Sequence, residues 1–163
     1  MSSDHMHRQR PSLLRATALP ETRGRASRTA MAGLAAAFVE TLSEAQRKET
    51  LWPFEDGERF NWHYVPRERA GLPIRDMSAP AKAALHDLLR HALSEAGYRK
   101  AVDVMSLEEP LGLIEQHRRH YRHPENYSVT VFGTPGRLPW GWRIEGHHLS
   151  LNFTAVTEEL FGV

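Results

Sequence analysis

The stretch from Tyr127 to Thr154 constrains the fold most, because two runs of strand-type sequence are joined there by a connection too short for a helical crossover. Tyr127-Ser128-Val129-Thr130-Val131-Phe132 alternates β-branched and aromatic residues with small polar ones. Gly133 to Gly141, with Pro135, Gly136 and Pro139, is the connecting loop, and Trp142 to Thr154 then predicts one long strand antiparallel to the first. Upstream the pattern is helical. Leu34, Phe38, Leu42 and Ala45 fall at helix spacing between Thr29 and about Leu51, before Pro53. Ser78 and Pro80 start a second helix whose stripe is Leu85, Leu88, Leu89 and Leu93, with Gly97 as an αL stop. Helical stretches are expected over Arg99–Met105 and from Glu108 to Arg119, and Phe60–Val65 has the aromatic content of a short strand. The expected class is α+β, N-terminal helices followed by an antiparallel sheet.

Composition narrows the function classes. With 163 residues, 40% hydrophobic and 25% charged, the chain suits one soluble domain. Twenty-one Lys and Arg against 20 Asp and Glu leave a net charge of +1, so no global field draws in nucleic acid or an anionic membrane, and neither is an expected partner. The absence of cysteine removes disulfides, thiolate ligands and a Cys nucleophile, and fits a cytoplasmic location. Met31–Val39 is too short an apolar run to span a bilayer. Residues 1–30 hold six Arg against Asp4 and Glu21, which predicts a disordered basic leader ahead of a single domain over 31–163, with a transit peptide as the lesser alternative.

One run carries most of the chemistry: Trp140-Gly141-Trp142-Arg143-Ile144-Glu145-Gly146-His147-His148. On an extended strand Glu145 and His147 point the same way, about 6.6 Å apart, a spacing that serves a shared metal ion or an acid–base pair. His148 joins them only if Gly146 is a bulge. His63, on the expected neighbouring strand, is the third imidazole. The candidate ligand set for one divalent transition metal is therefore His63, His147 and His148, with Glu145 as catalytic base or further ligand, and Asn61, Arg67, Trp142 and Arg143 as substrate contacts. The structural alternative is that Glu145 pairs with Arg143 or another Arg while the imidazoles satisfy backbone groups. No His-Glu-x-x-His zinc signature, Gly-x-Ser-x-Gly elbow or glycine-rich phosphate loop is present. His117, His120 and His123, among Arg118, Arg119 and Arg122, are most simply a solvated helix end.

Several ordered stretches carry a resemblance: Trp52-Pro53-Phe54, Asn61 to Pro73, Leu93 to Tyr98, Val129 to Pro135 and Trp140 to Thr154. Together, over about Ala32 to Val156, the chain resembles the domain of unknown function 3500 family, whose activity is not established. The resemblance implies a longer domain whose second half carries a further His-rich motif, so that this chain holds its N-terminal part and an incomplete version of the fold. The functional expectation is a metal-assisted enzyme acting on a small molecule. The competing expectations are a non-catalytic module presenting Trp62, Tyr64, Trp140 and Trp142 to a ligand or partner, or an inactive truncated form. Oligomeric state has no signature in the sequence.

Overall fold

Spacings of three and four residues place Met31, Ala35 and Phe38 on one side of helix α1 (Glu21–Glu40), with Leu42 just beyond it, and all four are buried. The computed structural model describes residues 21–115, 122–157 and 161–162. Of the expected leader, residues 1–20 lie outside the described residues, while α1 already begins at Glu21. The single helix expected from Thr29 to Leu51 is two. Ser43 and Gln46 form a reciprocal capping box, with bonds of 3.1 and 3.2 Å, and it starts α2 (Glu44–Thr50) on a new axis.

Helix α3 (Ala79–Ala92) is capped by Ser78, as its sequence predicts, and buries Ala81, Leu85, Leu88 and Leu89. Gly97 is not the expected stop. Leu93 is already extended, and Ser94 caps α4 (Glu95–Ser106) by accepting the Gly97 N–H at 3.1 Å, which places that glycine in the first turn of the next helix. Helix α5 (Glu108–Ile114) follows, and residues 116–121 of the expected fourth helix lie outside the described residues.

The sheet contains β1 (Leu51–Trp52), β2 (Leu72–Pro73), β3 (Ser128–Thr134), β4 (Arg137–Gly146), β5 (Leu149–Ala155) and β6 (Phe161–Gly162). Its order is β1-β3-β4-β5-β6, with β2 also on the β1 side of β3. All pairings are antiparallel except β1 with β3, where the helices between them supply the crossover a parallel pair needs. The α+β class holds, but the sheet is mixed. Phe60–Val65 is not a strand: a 3-10 turn at Gly57–Phe60 precedes irregular backbone, and Phe60, Trp62, Tyr64 and Val65 are exposed. The long strand expected over Trp142–Thr154 is a hairpin that turns at His147–His148.

Period two divides the sheet into unlike faces. Val129, Val131, Trp140, Trp142, Ile144, Phe153 and Ala155 meet the helices in one core, where the rings of Trp142 and Phe153 stack at 4.4 Å and 12°. Such a pair adds about 0.5–1.5 kcal/mol beyond area burial. The opposite face presents Ser128, Thr130, Arg143 and Glu145, all buried, beneath residues 54–71.

The α3–α4 contact has a pH consequence. His86 Nδ1 lies 2.9 Å from Tyr98 Oη, and burial, assisted by Arg90, lowers the His86 pKa below 6.5. The unfolded chain then takes up this proton first, so the contribution of His86 to stability is whole above 6.5 and is lost as pH falls below it. Thermal unfolding between pH 7.5 and 5.5 is expected to lose more midpoint in the wild type than in His86→Asn; equal slopes would remove His86 from this role.

Candidate functional site

A two-residue turn, His147–His148, closes the β4–β5 hairpin, and His148 adopts a left-handed φ of 58° without being glycine. Non-glycine residues seldom hold that conformation unless their surroundings fix it. Three contacts do so here. The His148 N–H donates to the Tyr64 carbonyl at 2.8 Å, the Tyr127 hydroxyl donates to the His147 carbonyl at 2.9 Å, and Arg69 Nη2 donates to the Gly146 carbonyl at 3.0 Å. Gly146 is required for a different reason than a bulge: a Cβ there would stand 2.2 Å from Tyr127 Cδ1, so the tyrosine ring occupies the space a side chain needs. The two imidazoles lie against each other with centroids 3.9 Å apart.

On one flank the His147 ring meets a buried acid–base cluster. Its Nδ1 contacts Glu108 Oε1, at the start of α5, in a short hydrogen bond. Glu108 Oε2 faces Arg122 Nη1 at 3.4 Å, and Arg122 Nη2 donates to Glu115 at 2.8 Å. The side chains of Glu108 and Arg122 are 3% and 5% exposed, and that of His147 is 13% exposed. Arg122 Nη1 also stands 2.8 Å from His147 Nδ1 and 3.5 Å from Nε2. Nδ1 carries at most one proton, and its two contacts compete for it, since the Glu108 carboxylate can only accept and the Arg122 guanidinium can only donate; we assign the proton to the Glu108 contact, the closer of the two. Burial disfavours the Arg122 charge, but the hydrogen bond to Glu115 and the fields of Glu108 and Glu115 outweigh it, so this guanidinium is held above its ordinary value. Burial, reinforced by Glu108, also pushes the neighbouring Tyr127 hydroxyl well above the usual phenol range, which keeps it a donor.

The other flank is the ionic floor of the polar sheet face. Arg143 Nη2 lies 2.7 Å from Glu58 Oε1 and 3.0 Å from Glu145 Oε1, and Nη1 donates to the Glu58 carbonyl at 2.9 Å. Glu145 Oε2 accepts the His63 N–H at 2.9 Å and sits 3.8 Å from Arg69 Nε. Arg69 Nη2 also donates to the carbonyls of His63 and Val65, so one guanidinium clasps the 63–69 loop to the hairpin. Burial lowers the Arg69 pKa, with Glu145 opposing. A water-sized chamber of about 30 Å³ opens here, lined by Asn61, His63, Arg67, Glu68 and Glu145 among others.

The expected site is therefore split. Glu145 and His147 do not share a face: Glu145 is buried with Arg143, Arg69 and the His63 backbone, as the structural alternative has it, and His147 turns to Glu108. The hairpin turn is the reason, since it ends the strand alternation at Gly146. His63 Nε2 faces Asn61 Oδ1 at 3.0 Å. Among the described residues no group of three or more His, Asp or Glu side chains stands close enough to hold a metal ion. Asn61 and Arg67 do line the small chamber. Trp142 and Arg143 are fully buried, so neither meets a surface a substrate reaches. The aromatic surface is likewise divided, with Trp140 and Trp142 in the core and Trp62 and Tyr64 exposed. Glu108 and Tyr127 are functional candidates that sequence reasoning missed. The one available signal for Glu108 was an acidic pair before Pro110, which also fits an ordinary helix start. Of the basic cluster, His117 and His120 lie outside the described residues, His123 accepts the Glu125 N–H, and Arg122 joins the buried network.

A larger cleft, about 250 Å³, lies at the opposite end of β4 and contains none of these acid–base groups. No helix of the described residues is long and apolar enough to cross a membrane. A family model described as Protein of unknown function (DUF3500) matches residues 24–162. No curated protein and no solved structure matches the chain.

Proposed function

The chain belongs to the DUF3500 family of unknown function, and from that premise we propose that the tip of its β4–β5 hairpin is a general acid–base site acting on a small molecule. His147 is the proton carrier and Glu108 the carboxylate that orients it. The observation that carries this reading is the buried Glu108–His147 contact, with Arg122 on the second carboxylate oxygen. A carboxylate on Nδ1 fixes the ring and leaves Nε2 as the basic nitrogen, and it stabilises the imidazolium formed when Nε2 takes a proton. The strained His148 and the fixed hairpin hold the ring at the edge of the sheet. Proton transfer is preferred over a metal-assisted reaction because the expected ligands are not assembled among the described residues.

A second reading rests on a separate observation. Phe60, Trp62, Tyr64 and Val65 form an exposed apolar loop joined to the hairpin tip through Tyr64, which suits a non-catalytic interaction module. A turnover screen separates the two readings. Aryl esters, aryl phosphates and small ketones (the last by α-deuterium exchange) are incubated with the wild type and His147→Gln. The acid–base reading expects turnover of at least one class that the substitution removes. No turnover in any class, or turnover indifferent to the substitution, would overturn it.

A further inference from the structure

We infer that the cleft beneath the first half of α1 binds a small apolar monocarboxylate. This cleft is independent of the hairpin-tip site, since it lies where β4 begins and β5 ends. Ala32 of α1, Leu138 and Trp140 of β4, and Ala155 of β5 form its apolar walls, and Arg28, Thr29 and Thr157 are the polar residues of its lining. Gly136, with a φ of 82° in the β3–β4 turn, completes the wall facing α1; a Cβ there would meet the Ala32 methyl at 3.5 Å, so helix and turn seat closely and leave the gap beside them.

Arg28 decides the chemistry of the occupant. It is partly buried, and no described residue offers its guanidinium a hydrogen bond or an ion pair. The other arginines drawn into polar interior here, Arg69, Arg122 and Arg143, each face a carboxylate. A half-buried cation without a partner is unfavourable unless an anion reaches it, and the guanidinium fork matches a carboxylate by two parallel hydrogen bonds. One cation and two threonines against otherwise apolar walls suit a monoanion with an apolar body better than a phosphate dianion, whose second charge would have no cation in the lining. The volume of about 250 Å³ is below the roughly 300–1,000 Å³ of drug-sized pockets and so restricts the body to one ring or a short chain.

The test uses phenylacetate and hexanoate as probes, with 2-phenylethanol and hexanol as neutral counterparts, by calorimetry and by amide shifts in NMR spectra. Saturable binding of at least one acid is expected, with shifts at Ala32, Gly136 and Ala155. The matching alcohol and the Arg28→Gln protein should each bind roughly 10- to 100-fold more weakly, the scale of a lost charged hydrogen bond. Absence of saturable binding by both acids would overturn the inference. Equal binding of the alcohols, unchanged affinity in Arg28→Gln, or shifts confined to other parts of the sheet would do so as well. Arg28 is partly exposed and has no partner among the described residues, so its replacement leaves the fold intact.

Discussion

His147→Gln is expected to lower turnover about 10²- to 10⁴-fold, the usual contribution of a positioned acid or base, with kcat falling and KM nearly unchanged. Glutamine keeps a polar group near Glu108 but cannot cycle a proton. Glu108→Gln should fall between the two proteins, because its amide oxygen still accepts from Nδ1–H while the charge that stabilises an imidazolium is gone. It also leaves Arg122 with Glu115 alone among its two carboxylates. Thermal melting of both variants separates a lost proton carrier from a loosened cluster: an activity loss at an unchanged midpoint belongs to the chemistry.

The largest effect on stability is expected at Arg143. Replacing it with methionine leaves Glu145 and Glu58 facing each other over a buried floor with their shared cation removed. Breaking a buried ion pair from one side costs about 3–5 kcal/mol, mostly from the charge left behind. For a domain of this size that corresponds to roughly 2–4 °C of melting temperature per kcal/mol. Arg143→Lys retains the charge but not the fork that reaches Glu58 Oε1, Glu145 Oε1 and the Glu58 carbonyl together, so it should be intermediate. Chemical denaturation of the three proteins checks the order, and an Arg143→Met protein as stable as the wild type would mean that Arg69 alone neutralises Glu145.

Helix α3 was legible because its cap and stripe are local, whereas the equally local caps Ser43 and Ser94 were not read. Ser78 and the leucines of α3 are read directly from spacing, and the β3 alternation survives intact. The hairpin was harder. Its turn residues are His147 and His148 rather than the Asn-Gly or Gly-x pairs that mark two-residue turns, and only tertiary contacts to Tyr64, Tyr127 and Arg69 make a left-handed His148 tolerable. Missing that turn put Glu145 and His147 on one face. The true partner of His147 is Glu108, 39 residues away in sequence, and no spacing rule connects them. Phe60–Val65 misled for a related reason: its aromatic content is that of a strand, but its backbone is held by Glu145 and Arg69 side chains instead of a ladder. Arg143 and Glu145 were legible as a pair, and burial turned that pair from site chemistry into structure.

In the proposed acid–base site Glu108 fixes His147 with the proton on Nδ1 and the basic nitrogen at Nε2. Nitrogen-15 shifts of the His147 ring, read by long-range correlation at pH 9 where imidazoles are ordinarily neutral, test it most directly. The Nδ1–H tautomer is expected in the wild type and is expected to be lost in Glu108→Ala. An Nε2–H tautomer in the wild type, or a ring unaffected by removal of Glu108, would contradict it.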